Sequence, residues 1–96
     1  PVTQVAPFDV NTPYPTDVAG TPMATYLDWM RSCWYVTMMA NPALSVPAGF
    51  TAGGLPVGLQ IVGRHRDEWS VLQLGHAFEQ ATRHGARRPA MLETTA

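Results

Sequence analysis

Three serines, three histidines and one cysteine are the residues of this chain best suited to covalent or metal chemistry: Ser32, Ser45 and Ser70; His65, His76 and His84; and Cys33. A nucleophilic serine needs a base within hydrogen-bonding reach and donors aimed at the developing oxyanion. Ser45 is the first to weigh, because it lies in a loop punctuated by Pro and Gly. The chain has no Lys to serve as its base. The histidines lie after the second expected strand or within the helix beyond it. No compact pattern announces a triad, and Asp17 and Asp28 would reach His65 only through the tertiary fold. Ser45 is therefore expected to satisfy a local backbone group beside Pro47.

His76 and His84 are eight residues apart on one expected helix. That spacing is about two turns, so they share a face but are too distant to hold one zinc ion. No Cys-x-x-Cys or His-Glu-x-x-His spacing occurs, and no metal site is expected. The run GFTAGGLPVG from Gly49 lacks the Lys of a Walker loop and the spacing of a dinucleotide loop. It reads as a turn, and no cofactor is expected.

Composition narrows the classes further. The formal charge is -1, and the Arg87-Arg88 pair is too small for a nucleic-acid footprint, so no nucleic-acid contact is expected. No window reaches the length of apolar sequence that spans a bilayer, so no membrane is expected. PVTQVAPFDV is not a secretory signal. One cysteine cannot close an internal disulfide, and Cys33 reads as a buried thiol in a reducing, cytoplasmic setting. Of the 96 residues, 46% are hydrophobic, with three Trp, three Tyr, three Phe and five Met. A free chain of this size hides only about 60–65% of its unfolded surface. Part of this apolar inventory is expected to pack against further protein. A chain that opens on Pro1 fits an internal piece, and equally fits removal of a starting Met.

These residues must be positioned by few elements. Residues 1–22 carry Pro at 1, 7, 13, 15 and 22 and read as an extended arm or loop, with Val5, Phe8 and Tyr14 as anchors. A helix is expected from a Thr21 cap and Pro22 to about Met39, stopped by Asn41-Pro42. Tyr26, Met30, Cys33 and Thr37 form one stripe, and Leu27, Trp34 and Met38 the next. With Trp29 and Tyr35 the apolar surface runs almost all round. Core packing is the first reading of Trp29, Trp34, Tyr35, Met38 and Met39, and an apolar pocket wall the second. Asp28 and Arg31 support one another at the solvent edge.

Ala43–Val46 reads as a short strand ending at Pro47, and Ala48–Pro56 as a turn region. Val57–Val62 reads as a second strand, with Val57, Leu59 and Ile61 on one face and Gln60 needing a partner if buried. The connection is too short for a parallel crossover, so an antiparallel hairpin or an edge link is expected. Asp67 caps a second helix whose inner face is Val71, Leu74, Phe78 and Ala81, broadened by Leu72 and Gly75. Gly75 permits close contact with a sheet, and Gly85 ends the helix. Residues 23–85 thus make helix, two strands and helix, and residues 86–96 a surface tail.

The segment ALSVPAGFTAGGLPVGLQIVGR, Ala43–Arg64, resembles the closing segment of the amidase signature family. There P-A-x-S-x-P-x-G-F precedes G-L-P-x-G-x-Q-x-x-G. Asp67, Leu72, Ala77, Phe78 and Glu79 also resemble the family, and Tyr26–Met30, YLDWM, resembles a bacterial branch. Asn41 stands where the family commonly has Gly, so altered turn geometry is expected there. The resemblance implies a fold class: α/β, a partial segment of a large mixed-sheet α/β/α amidase signature fold. It also implies amide hydrolysis by acyl transfer, with a Ser nucleophile, a second Ser on a cis peptide and a Lys. The Gly/Ser-rich stretch carrying those groups has no match here, so no catalytic role passes to this sequence.

By its helix placement, the resemblance makes Trp29, Cys33, Trp34 and Met38 candidates for the wall of the acyl-binding cavity. It implies as partners the remainder of an amidase, as the same polypeptide or a companion chain, and a small-molecule amide substrate. A homodimer of the complete enzyme is compatible with it. So are glutaminyl-tRNA amidation, small-amide hydrolysis and polyamide-oligomer hydrolysis. A noncatalytic interaction module and a structural fragment with no activity of its own remain the alternatives.

Overall fold

Ala19 and Gly20 take φ of 51° and 83°, and two successive positive φ angles are the backbone of a type I′ turn. That turn folds Asp17–Val18 (β1) back antiparallel on Thr21–Pro22 (β2). The turn is closed by the Asp17 carboxylate, which accepts from the Gly20 N–H at 3.1 Å. The expected helix start at Thr21-Pro22 is thereby corrected, because those residues are committed to a ladder. In the computed structural model, which describes residues 3–93, the helix starts one turn later.

Thr25 is the true cap. Its hydroxyl accepts from the Asp28 N–H at 3.3 Å, while the Asp28 carboxylate accepts from the Ala24 N–H at 3.0 Å. The first bond satisfies one of the donors a helix start leaves open, and the second ties down the residue before the cap. The helix is also split. Tyr26–Trp29 (α1) and Arg31–Met38 (α2) are separated by Met30, whose φ and ψ of -89° and 8° leave the helical basin. The indole N–H of Trp34 takes up the Leu27 carbonyl at 2.9 Å across this break. Asp28 and Arg31 pair at 3.4 Å, as their spacing predicts. Ala40, with φ of 54°, then turns the chain out of α2 ahead of Asn41-Pro42.

Ala43–Phe50 (β3) and Pro56–Val62 (β4) form an antiparallel hairpin, the first of the two arrangements that the short connection allows. The first strand runs farther than expected, past Pro47. A proline gives no ladder donor, and β3 accommodates it with a register shift between Pro47 and Gly49. Gly49 takes φ of 120°, conformational space that a side chain rarely enters. The loop is closed by the Thr51 N–H to the Leu55 carbonyl at 2.8 Å and the Leu55 N–H to the Thr51 hydroxyl at 3.1 Å. The half-buried Gln60 stands opposite Ser45 and has an interaction partner.

Glu68–Thr82 (α3) lies across one face of the hairpin, and Asp67 caps it as expected. The core is Val46, Ile61 and Val71, with Leu44 and Phe78 packed against it. Gly75 is buried where an added Cβ would meet the Leu44 side chain, so helix and sheet approach closely, as the glycine predicts. The buried stripe of α3 is narrower than its sequence suggests. Leu72 and Leu74 are exposed, because a two-stranded hairpin is too narrow to cover them. The helix ends at Arg83, left-handed with φ of 54°, not at Gly85. His84–Ala86 then makes a 3-10 turn, and Ala90–Glu93 (α4) a last helical turn.

The described chain is a small mixed α/β segment with interleaved strands and helices. Its surface of 7171 Å² exceeds the roughly 5,400 Å² of a closed monomer of this mass. Its radius of gyration of 15.5 Å exceeds the roughly 12.5 Å of a compact domain this long. Tyr26, Leu27, Tyr35, Met38, Met39, Trp69 and Leu72 are among the large apolar side chains left exposed. Two-stranded hairpins are marginal alone, and this one has a helix on only one face. Among the described residues no helix is long and apolar enough to cross a membrane.

Candidate functional site

Ser45 borders two open clefts on the hairpin. One, of about 430 Å³, lies between residues 3–8 and Ser45, Pro56, Val57 and Gly58. The other, of about 380 Å³, is closed from the opposite side by His84, Arg87 and Pro89. Val5 and Phe8, two expected anchors of the arm, both line the first cleft. Phe8 also meets the ring of Trp29 edge to face at 5.5 Å. The third anchor, Tyr14, meets Tyr26 at 6.3 Å and donates its hydroxyl to the Ala24 carbonyl at 3.2 Å.

The three serines do not converge with a base. Ser45 is exposed, and its hydroxyl has no hydrogen bond among the described residues, so the expected bond beside Pro47 is absent. Ser32 lies on α2 with its hydroxyl buried and without a described partner. Ser70 sits in the first turn of α3 and helps Asp67 cap it. The histidines are dispersed as well. His65 contacts the Ala40 carbonyl at 2.9 Å, and His76 is exposed on α3. His84 is not on that helix, since the left-handed Arg83 precedes it; its ring lies against Gly49 and 6.3 Å from the ring of Phe78. Among the described residues no three His, Cys, Asp or Glu could hold a metal ion.

The four pocket-wall candidates fall into two pairs. Trp29 and Cys33 are buried, at 7% and 5% exposure, although the Trp29 indole N–H has no described acceptor. Trp34 is half-buried against Tyr35, with ring centroids 4.5 Å apart, and Met38 is 74% exposed. The linings of the two clefts contain none of these four.

One carboxylate is electrostatically distinct. Asp67 is held below the usual aspartate range, first by the Ser70 hydroxyl and then by Arg64. Its oxygens accept from the Ser70 N–H at 3.3 Å and the Arg64 guanidinium at 3.0 Å. This is the signature of a helix cap, and Asp67 lines neither cleft.

Sequence reasoning overlooked the meeting of Phe50 with Arg87. The Arg87 guanidinium lies 4.4 Å from the ring centroid of Phe50. The turn at Arg83 brings them together, and no local pattern marks an arginine as left-handed.

The amidase family model matches residues 1–72. A glutamyl-tRNA(Gln) amidotransferase subunit of Ralstonia nicotianae is 61% identical over 49 residues, covering 51% of this chain and 10% of the relative. The protein of the same name from Halalkalibacterium halodurans is 54% identical over 56 residues, covering 58% of this chain and 11% of the relative. The chain therefore spans about a tenth of the length of these curated relatives. No solved structure matches it significantly.

Proposed function

The chain belongs to the amidase family, and on that premise we propose that it is the C-terminal portion of an amidase. That enzyme hydrolyses a carboxamide by serine-based acyl transfer, and its catalytic Lys and Ser groups lie outside this chain. The observation that carries the reading is the family match over residues 1–72 in a chain without Lys, whose serines meet no described base. Two features of the fold support it. The hairpin is two-stranded with both outer edges unpaired among the described residues, as strands of a larger mixed sheet would be when seen alone. The excess surface is rich in aromatic and Met side chains, which further protein would cover.

In this reading the arm expected over residues 1–22 is laid over the enzyme body, 23–85 belong to the amidase domain, and 86–96 are the expected surface tail; residues 1–2 and 94–96 of these spans lie outside the described residues. Trp29, Cys33, Trp34 and Met38 form part of the wall around the acyl group. The exposed Met38 and half-buried Trp34 support this, because further protein or substrate can reach them. The matched relatives are named as subunits of an amidotransferase, which favours a companion chain as a partner. A cytoplasmic setting rests on Cys33, buried and outside any disulfide.

The test compares the full-length protein carrying this sequence with residues 1–96 alone on a panel of carboxamides. Hydrolysis by the full-length protein and none by the short chain is the expected result. Full activity in the short chain, or none in the full-length protein on any amide, contradicts the reading.

A further inference from the structure

The second cleft, between the hairpin and residues 84–89, joins a cation to an apolar floor. Arg87 holds its guanidinium 4.4 Å from the Phe50 ring centroid, and both residues line the cleft. The contact places the guanidinium over the ring in cation–π geometry, and its N–H groups have no other partner among the described residues. No carboxylate among the described side chains pairs with that guanidinium, and the lining contains no Asp or Glu. His84 enters the same lining with its ring fixed against Gly49. Val46, Val57 and Pro89 supply apolar surface beside these polar groups.

We propose that this cleft binds a small monocarboxylate with an apolar body. The carboxylate meets Arg87 through two parallel N–H bonds, the geometry a guanidinium fork offers. His84 contributes a further polar contact, and the body lies on the valine and proline surface. The volume of about 380 Å³ falls in the range of small-ligand sites. A multiply charged phosphate fits less well, because one guanidinium and one imidazole leave most of its oxygens facing apolar walls. The site stands on Arg87, Phe50 and His84 and does not depend on where acyl transfer occurs.

The test is titration of the full-length protein with benzoate, its neutral, non-hydrolysable isostere nitrobenzene and inorganic phosphate. Calorimetry supplies affinities, and NMR shifts at Phe50 and His84 report location. Benzoate is expected to bind at least tenfold more tightly than nitrobenzene or phosphate and to shift both residues. Arg87→Gln should weaken benzoate at least tenfold, with the unfolding transition unchanged. Arg88→Gln, its neighbour outside the lining, should leave binding intact. His84→Gln is a second probe should Arg87→Gln unfold, and should weaken benzoate severalfold. Equal binding of benzoate and nitrobenzene overturns the proposal, as does phosphate binding as tightly as benzoate. Benzoate binding that survives a folded Arg87→Gln or His84→Gln overturns it too, since the ligand then sits elsewhere. No binding of benzoate also overturns it.

Discussion

The Asn41 carboxamide donates to the Gly63 carbonyl at 3.0 Å and ties the entrance of β3 to the exit of β4. The Gly63 N–H returns a bond to the Pro42 carbonyl at 3.0 Å, so the open end of the hairpin is closed twice. Asn41→Ala removes one of these bonds and should destabilise the protein by about 1 kcal/mol. Asn41→Asp should cost more, because a carboxylate cannot donate and would face the Gly63 carbonyl. Urea midpoints of the full-length protein check both. A midpoint unchanged in both variants contradicts the assignment.

Two glycines support different expectations for the same change. A Cβ on Gly63 would meet the Val71 side chain, with the Asp67 carbonyl at 3.5 Å and Pro42 at 3.6 Å behind it. Val71 is buried and β-branched, so it yields little, and Gly63→Ala should cost about 1–3 kcal/mol. A Cβ on Gly75 would meet the far end of the Leu44 side chain, which can rotate. The rotamer cost of about 0.5–1.5 kcal/mol is set against a helix-propensity gain of about 0.8–1 kcal/mol. Gly75→Ala should therefore be close to neutral, whereas Gly75→Leu should be destabilising. Thermal unfolding of the three variants distinguishes them, and equal losses for the two alanine variants would contradict the packing described.

Asp67 sets a pH dependence for the start of α3. Its folded-state pKa lies below the ordinary aspartate value of 3.8, first through the Ser70 hydroxyl and then through Arg64. The unfolded chain therefore takes up the proton first as pH falls. The contribution is fully present above the ordinary value and is lost as pH drops through the lowered one. Asp67→Asn should flatten the pH dependence of stability on that acid side. An NMR titration placing Asp67 at or above the ordinary value would contradict this.

Much of the segment was legible in the residues themselves. The short link between two apolar runs excluded a parallel crossover and left a hairpin or an edge link, of which the structure has the hairpin, and Asp67 followed by an apolar stripe marked the start of α3. The misplaced features depend on a competing local structure or a neighbour. Thr21-Pro22 carries a good helix-start pattern, yet Ala19-Gly20 folds it into a ladder. Leu74 matches a core stripe, but the sheet beneath it has only two strands. Arg83 ends α3 ahead of the better-suited Gly85, and this brings His84 and Arg87 to the second cleft.

The central claim is that acyl transfer uses a serine outside these 96 residues. The direct measurement is to label the active full-length protein with a serine-directed fluorophosphonate, digest it and locate the adduct by mass spectrometry. The account predicts one adduct, on a serine outside this sequence, with Ser45→Ala labelled at the same rate. An adduct on Ser32, Ser45 or Ser70 that forms in step with loss of activity would contradict it.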